Sequence, residues 1–120
     1  MDLKIDTHTH SIASGHAYST IYEMAEAAKR KNLQVLSITD HAPTMPGSCH
    51  EFYFYNLKVI PRDYFDIPIL FGVELNILDP EGKVDLHPEL LKQMDIAVAS
   101  IHGPCFGVGF DYKTDRKSVV

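Results

Sequence analysis

Apolar and polar positions along the chain predict four short strands separated by helical or mixed connections. A short strand at 3–6 opens the series, and near-continuous apolar runs follow at 35–38, 69–75 and 96–101. Strands without apolar–polar alternation are typical of parallel sheets that are covered on both faces. Because such strands alternate with helical connections, the pattern predicts an α/β fold with mainly parallel strands.

The connections carry their own signals. Thr20 and Glu23 form a capping-box pattern, and apolar residues at 21, 24, 25 and 28 share the face of one helix. The stretch 51–60 is ambiguous between helix and extended chain. Residues 79–82 predict a type I turn that closes a small hairpin onto 83–86. Pro88 suits the first position of a short helix over 88–94.

Histidines and one acid fall at the ends of the predicted strands. The chain has seven histidines in 120 residues. His8 and His10 follow the first strand, His41 the second and His102 the fourth, while Glu74 lies near the end of the third. Parallel α/β folds carry their chemistry at the carboxyl ends of strands. Four consecutive strands ending in possible ligands therefore predict a metal site.

The spacing of His8 and His10 supports that prediction, because residues two apart on extended chain point to the same side. Asp6 lies on that face too, as a ligand or a supporting group. Glu74 stands between apolar neighbours, where an unpaired charge is costly and a metal would offset the cost. Its two oxygens suit it to bridge two ions.

Two further residues lie close to these positions in the sequence. His16, in the loop before the first helix, is expected to be another ligand. We expect His8, His10, Glu74 and His102 to be the catalytic residues, and we group Asp40 with them as a carboxylate that orients His41 or a neighbour. Turn formation is the alternative role for Asp40.

The remaining candidate residues have ordinary explanations. We expect His50 and His87 to be surface or local structural residues, and Cys49 and Cys105 to be free thiols, since no C-x-x-C pattern is present. Arg62 and Lys58 suit a solvated surface better than a phosphate contact.

Composition excludes several classes of function. The net charge of −5 disfavours nucleic-acid binding. The apolar runs are too short to span a membrane, and the first residues lack a signal-peptide pattern. Two cysteines make no disulfide framework, which favours a reducing cytoplasm.

Imidazole and carboxylate ligands suit Zn²⁺, Mn²⁺ or Fe. A cluster of such ions binds phosphate oxygens and makes hydroxide from water at neutral pH, so attack on a phosphate ester is the expected reaction. No P-loop, G-x-S-x-G or dinucleotide motif competes with this assignment.

Four separated motifs carry a resemblance to a known family. They are 6–10 (DTHTH), 14–20 (SGHAYST) with 39–43 (TDHAP), 72–74 (GVE) and 101–104 (IHGP). The sequence resembles the PHP (polymerase and histidinol phosphatase) family, and within it a branch of small bacterial phosphatases. The resemblance implies a distorted (βα)7 TIM-like barrel with a trinuclear, usually zinc, centre and a small phosphorylated substrate.

The resemblance also implies a distribution of ligands. His8, His10 and Glu74 would hold one ion, Glu74 and His102 a second, with Glu74 bridging, and His16 and His41 a third. The family's later ligands, a His-Pro histidine and an Asp-x-His pair, have no counterpart here. We therefore expect residues 1–120 to form a partial PHP domain, the N-terminal half of the barrel.

Three alternatives stay open. The chain could be an inactive metal-binding fragment, or a half-barrel that self-associates through an open sheet edge. It could be a related barrel hydrolase acting on C–N bonds, although His16 and the 39–41 motif favour the PHP family. A polymerase-associated PHP module is the third alternative, which the short chain and negative charge disfavour.

Overall fold

The sheet consists of four parallel strands in chain order. The structure, a computed structural model, describes residues 2 and 4–107. Strands β1 (Ile5–Asp6), β2 (Val35–Ile38), β3 (Ile69–Asn76) and β4 (Ile96–Ser100) are hydrogen-bonded in the order β1-β2-β3-β4. Every pairing is parallel, and the strands curl into a half-barrel. The predicted α/β class is confirmed.

Three helices connect the strands: α1 (Ile21–Arg30), α2 (Glu51–Asn56) and α3 (Pro88–Leu91). The capping box of α1 is confirmed, with reciprocal bonds between Thr20 and Glu23. The ambiguous stretch begins as α2, and α3 is shorter than predicted. No helix within the described part of the chain has the length and apolar character needed to cross a membrane.

The predicted turn at 79–82 is confirmed, because the Gly82 backbone N–H donates to the Asp79 carbonyl at 3.1 Å. The hairpin itself is reduced to one antiparallel bridge between Ile77 and Val84. Leu3, which the sequence places in the first strand, lies outside the described residues.

Burial differs between the middle and the last strand. In β3, seven of the eight residues are buried, as expected for a covered parallel strand. In β4, however, Ala97 and Ala99 are exposed, so the expectation of two covered faces is wrong for this strand. The apolar run 96–101 does not show whether a face is covered or exposed, because alanine is small enough to be tolerated on both kinds of face. The core packs between the sheet and the helices, with Leu36, Ile38, Phe54, Phe71, Val73 and Leu90 among its buried members.

Candidate metal centre

The segment that carries His8 and His10 is fixed to β2 through Thr9. The Thr9 backbone N–H donates to Thr39 Oγ1 at 3.1 Å, and the Thr39 N–H donates to the Thr9 carbonyl at 2.9 Å. The Thr9 hydroxyl also donates to the Ser37 carbonyl of β2. Because neighbouring side chains point to opposite sides of extended chain, the imidazoles of His8 and His10 lie on the side opposite the Thr9 side chain. Their Nε2 atoms lie 3.2 Å apart, as the i, i+2 spacing predicts.

Glu74 lies at the centre of the cluster and is buried at the end of β3. Its Oε2 atom is 3.0 Å from His8 Nε2, 3.0 Å from His10 Nε2 and 3.1 Å from His41 Nδ1. Its Oε1 atom is 3.4 Å from His102 Nε2. The two carboxylate oxygens thus face different histidines.

The His41 ring packs at the base of the cluster. Its centroid lies 4.4 Å from that of His10, 4.7 Å from that of His16 and 4.7 Å from that of His102. His41 is buried, whereas His16 and His8 are exposed. The cluster therefore has a buried floor and a rim that faces solvent.

All six ligand candidates from the sequence meet at this point, in three overlapping groups whose ligand atoms lie within 4.8 Å of one another. The groups are His8–His10–Glu74, His41–Glu74–His102 and His10–His16–His41. They differ from the sequence expectation in one respect: His10 and His41 each belong to two groups.

The donor atoms fit divalent metal ions. A tetrahedral ion with bonds of about 2.0–2.1 Å separates its ligands by about 3.3 Å, close to the distances around Glu74. Glu74 Oε2 and His41 Nδ1 are buried and have no hydrogen-bond partner among the described residues. Unpartnered lone pairs that face each other in a buried site repel, and a cation would relieve the repulsion.

The protonation states suit ligation as well. Burial, together with the neighbouring histidines, lowers the pKa of His41 to about 4, against the attraction of Glu74. Burial also lowers the pKa of His10. For Glu74, burial raises the pKa, but a hydrogen bond from Ser100 and the neighbouring His8 and His41 outweigh it, and the pKa lies below its ordinary value. Neutral imidazoles around an ionised carboxylate are the ligand forms that metals require.

Asp40 lies beneath the cluster, fully buried, and does not reach the ligand atoms. Its oxygens accept from the Ser11 backbone N–H and hydroxyl, both at 2.6 Å, and from Tyr53 at 2.6 Å. The Ser14 hydroxyl donates to Asp40 at 2.7 Å and lies 2.9 Å from His10 Nδ1. Gly15 ends the 3-10 turn Ile12–Ser14 at φ +82°, where an added Cβ would collide with the Gly47 carbonyl oxygen.

A second network, beneath His102 and partly open to solvent, was not predicted from the sequence. Asn76 Oδ1 lies 2.6 Å from His102 Nδ1, and Asn76 Nδ2 donates to Asp85 at 2.7 Å. Asp85 also accepts from the Thr44 N–H and hydroxyl. The available signal was the spacing, because Asn76 lies two residues after Glu74 on the same face of β3. Asp85 lies in a loop and carries no such signal.

Residues expected to have local roles do have them. His50 and His87 cap α2 and α3, each accepting a backbone N–H through Nδ1. Both cysteines are free. Arg62 lies at the opposite end of the sheet, where it donates to the Ile69 carbonyl and pairs with Asp95.

Asp6 accepts the His8 backbone N–H at 3.3 Å. It belongs to none of the three ligand groups found among the described residues. Of the two roles that the sequence left open for Asp6, ligand or supporting group, this contact fits the supporting one.

Sequence comparison with known proteins identifies relatives of this chain and its family. The chain is 52% identical over 118 residues to a probable phosphatase of Caldanaerobacter subterraneus, which covers 98% of this chain and 46% of that protein. It is 50% identical over 120 residues to a probable phosphatase of Thermoanaerobacter sp., covering 100% of this chain and 49% of the relative. The chain spans about half the length of these curated relatives. The PHP domain family matches residues 6–119, so the chain belongs to the PHP domain family.

Proposed function

We propose that this chain is a metal-dependent phosphoesterase that hydrolyses phosphate monoesters. The observation that carries the proposal is the convergence of four histidines on buried Glu74 at the carboxyl ends of the strands, with His16 beside His10 and His41. The relatives named probable phosphatases support the reaction class. A small phosphorylated molecule is the proposed substrate.

We propose zinc as the metal, in up to three sites, with Mn²⁺ or Fe as alternatives for the same ligands. The three ligand groups described above would hold the ions. Such ions neutralise phosphate charge and lower the pKa of water, which supplies hydroxide at neutral pH.

The residues of the cluster would have different roles in binding the ions and the phosphate. Glu74 presents one oxygen to His8, His10 and His41 and the other to His102, which suits a bridging ligand. The His8 side chain is 42% exposed and that of Glu74 is 4% exposed. A phosphate would therefore approach over His8 and His16, while the buried floor keeps the ligands in place. Asp40 would contribute by positioning, since its oxygens are occupied by donors.

The wider assignments are proposals of the same kind. We propose a reducing cytoplasm as the compartment, and no membrane or nucleic-acid partner. We also propose that residues 1–120 form the N-terminal part of a PHP domain whose sites gain further ligands from other chain segments.

The test combines metal analysis with hydrolysis of an aryl phosphate, with Zn²⁺, Mn²⁺ or Fe²⁺ added. We expect bound metal and hydrolysis, and a loss of hydrolysis of more than about 100-fold in Glu74→Gln, since even groups that only orient ligands cost 10–100-fold. Glu26→Gln, an exposed acid on α1, is the matched control and should behave as wild type. Hydrolysis by Glu74→Gln at the wild-type rate would overturn the role of Glu74.

A second candidate function is a non-catalytic metal-binding half-barrel that requires self-association. The place of β4 at the edge of the described sheet favours it, because a strand edge with unpaired backbone groups invites pairing. Light scattering after size exclusion, with metal analysis of the peak, separates the two candidates. Bound metal without hydrolysis would support this candidate and contradict the phosphoesterase.

A further inference from the structure

The hydrogen bonds of Asn76 leave its amide one possible orientation. Its Nδ2 lies 2.7 Å from Asp85 Oδ2 and 3.2 Å from the Ala42 carbonyl oxygen. Asp85 is ionised at neutral pH, because bonds from Thr44 and Asn76 outweigh burial and lower its pKa. Both neighbours of Nδ2 are therefore acceptors, and both of its hydrogens are used.

The other amide atom then determines which nitrogen of His102 carries the hydrogen. Asn76 Oδ1 lies 2.6 Å from His102 Nδ1 and can only accept. The hydrogen of neutral His102 must therefore be on Nδ1. Its Nε2, which faces Glu74 Oε1 at 3.4 Å, is left with a free lone pair.

The same accounting applies to Ser14 on the other side of the cluster. Its hydroxyl donates its one hydrogen to Asp40 at 2.7 Å and accepts the His41 backbone N–H at 3.0 Å. The remaining lone pair faces His10 Nδ1 at 2.9 Å, so that nitrogen must donate. His10 Nε2 then faces Glu74 with its lone pair.

We propose that Asn76 and Ser14 are positioning residues that fix His102 and His10 as Nδ1–H tautomers and so reserve both Nε2 atoms for metal. Each is held in one orientation by a carboxylate, Asn76 by the partly exposed Asp85 and Ser14 by the fully buried Asp40. A histidine whose outer nitrogen is bonded in this way is a better oriented and more basic ligand. The proposal rests on the metal site of the proposed function. The tautomers can nevertheless be measured without metal, so failure of one does not imply failure of the other.

The experiment is long-range ¹H–¹⁵N NMR of the metal-free chain at mildly alkaline pH, where the imidazoles are neutral. We expect both His10 and His102 to be Nδ1–H in the wild type. In Asn76→Ala, His102 should move toward the Nε2–H form that imidazole prefers in water, while His10 is unchanged. In Ser14→Ala the effects should be reversed, with His10 changed and His102 not.

Because each variant should change only one histidine, the pair of variants distinguishes a positioning role from a general loosening of the fold. Ser37→Ala is the matched control, because Ser37 is as buried as Ser14 and its hydroxyl has no partner within the described residues. Zinc affinity should fall 10–100-fold in each positioning variant and stay unchanged in the control.

Three results would overturn the proposal. They are an Nε2–H tautomer of either histidine in the wild type, equal changes at both histidines in each variant, and unchanged zinc affinity. The first needs no variant, so it decides the matter even if Asn76→Ala fails to fold.

Discussion

The two sides of Glu74 are built on similar supports in different surroundings. On the β1–β2 side the support is Asp40, which accepts four hydrogen bonds from Ser11, Ser14 and Tyr53. On the β3–β4 side it is Asp85, which also accepts four from described residues, two each from Thr44 and Asn76. Asp40 is fully buried, whereas Asp85 is partly open to solvent. The four hydrogen bonds to Asp40 should therefore contribute more to the free energy of unfolding than the four to Asp85.

The largest effect is expected for Asp40→Ala. The substitution removes the acceptor of the Ser11 N–H and of the Ser11, Ser14 and Tyr53 hydroxyls. Ser11 and Ser14 are buried too deeply for water to replace the carboxylate. The free energy of unfolding should fall by about 3–5 kcal/mol. Urea unfolding followed by circular dichroism measures the loss.

Asp40→Asn is the graded control. Its amide can donate to the Ser11 and Tyr53 hydroxyls, which can rotate to accept, so it should cost less than Asp40→Ala. A loss below about 1 kcal/mol in Asp40→Ala would show that this network is not the support of the β1–β2 side.

The pH dependence of stability sharpens the comparison further, because His10 and His41 both belong to the β1–β2 side. The pKa of His41 is about 4 in the folded chain and about 6.5 when unfolded, so the unfolded state binds more protons between these values. Stability contributed by the neutral imidazole is full above pH about 6.5 and is lost as pH falls toward about 4. In metal-free protein the free energy of unfolding should drop by about 2 kcal/mol from pH about 7 to about 5.

Urea unfolding at a series of pH values in the presence of a chelator checks this drop. His41→Gln should flatten the slope over the same range, since glutamine does not titrate. An unchanged slope in His41→Gln would assign the pH dependence to other groups.

Asp85→Ala tests the more open side. It removes the acceptor for Asn76 and Thr44, but water can reach part of the site and bond to the groups left behind. We expect a loss of about 1–2 kcal/mol in urea unfolding. A loss as large as that of Asp40→Ala would mean that solvent access does not distinguish the two supports.

The β1–β2 side of Glu74 is easier to predict from the sequence than the β3–β4 side. His8, His10 and His41 are predictable because each follows a strand that the sequence predicts, and Asp40 adjoins His41. Asn76 has only its spacing from Glu74 as a signal. Asp85 comes from a loop, and its contact with Asn76 depends on tertiary packing that no local pattern encodes. The parallel sheet is predictable because its last three strands are near-continuous apolar runs. The exposure of one face of β4 is not, because it depends on which elements pack against that face.

The smallest predicted effect isolates a single donor in the Asp40 network. Tyr53→Phe removes the hydroxyl that donates to Asp40 at 2.6 Å and leaves that carboxylate with the Ser11 and Ser14 donors. Burial and the charge of Asp40 raise the pKa of Tyr53, so the tyrosine remains a donor across the neutral range. We expect a loss of about 1 kcal/mol in urea unfolding. Tyr55→Phe on the same helix is the matched control, because Tyr55 packs against the core and should lose little with its hydroxyl. Equal losses in the two variants would mean that the Tyr53 hydroxyl contributes nothing specific to the β1–β2 support, and that Ser11 and Ser14 alone hold Asp40 in place.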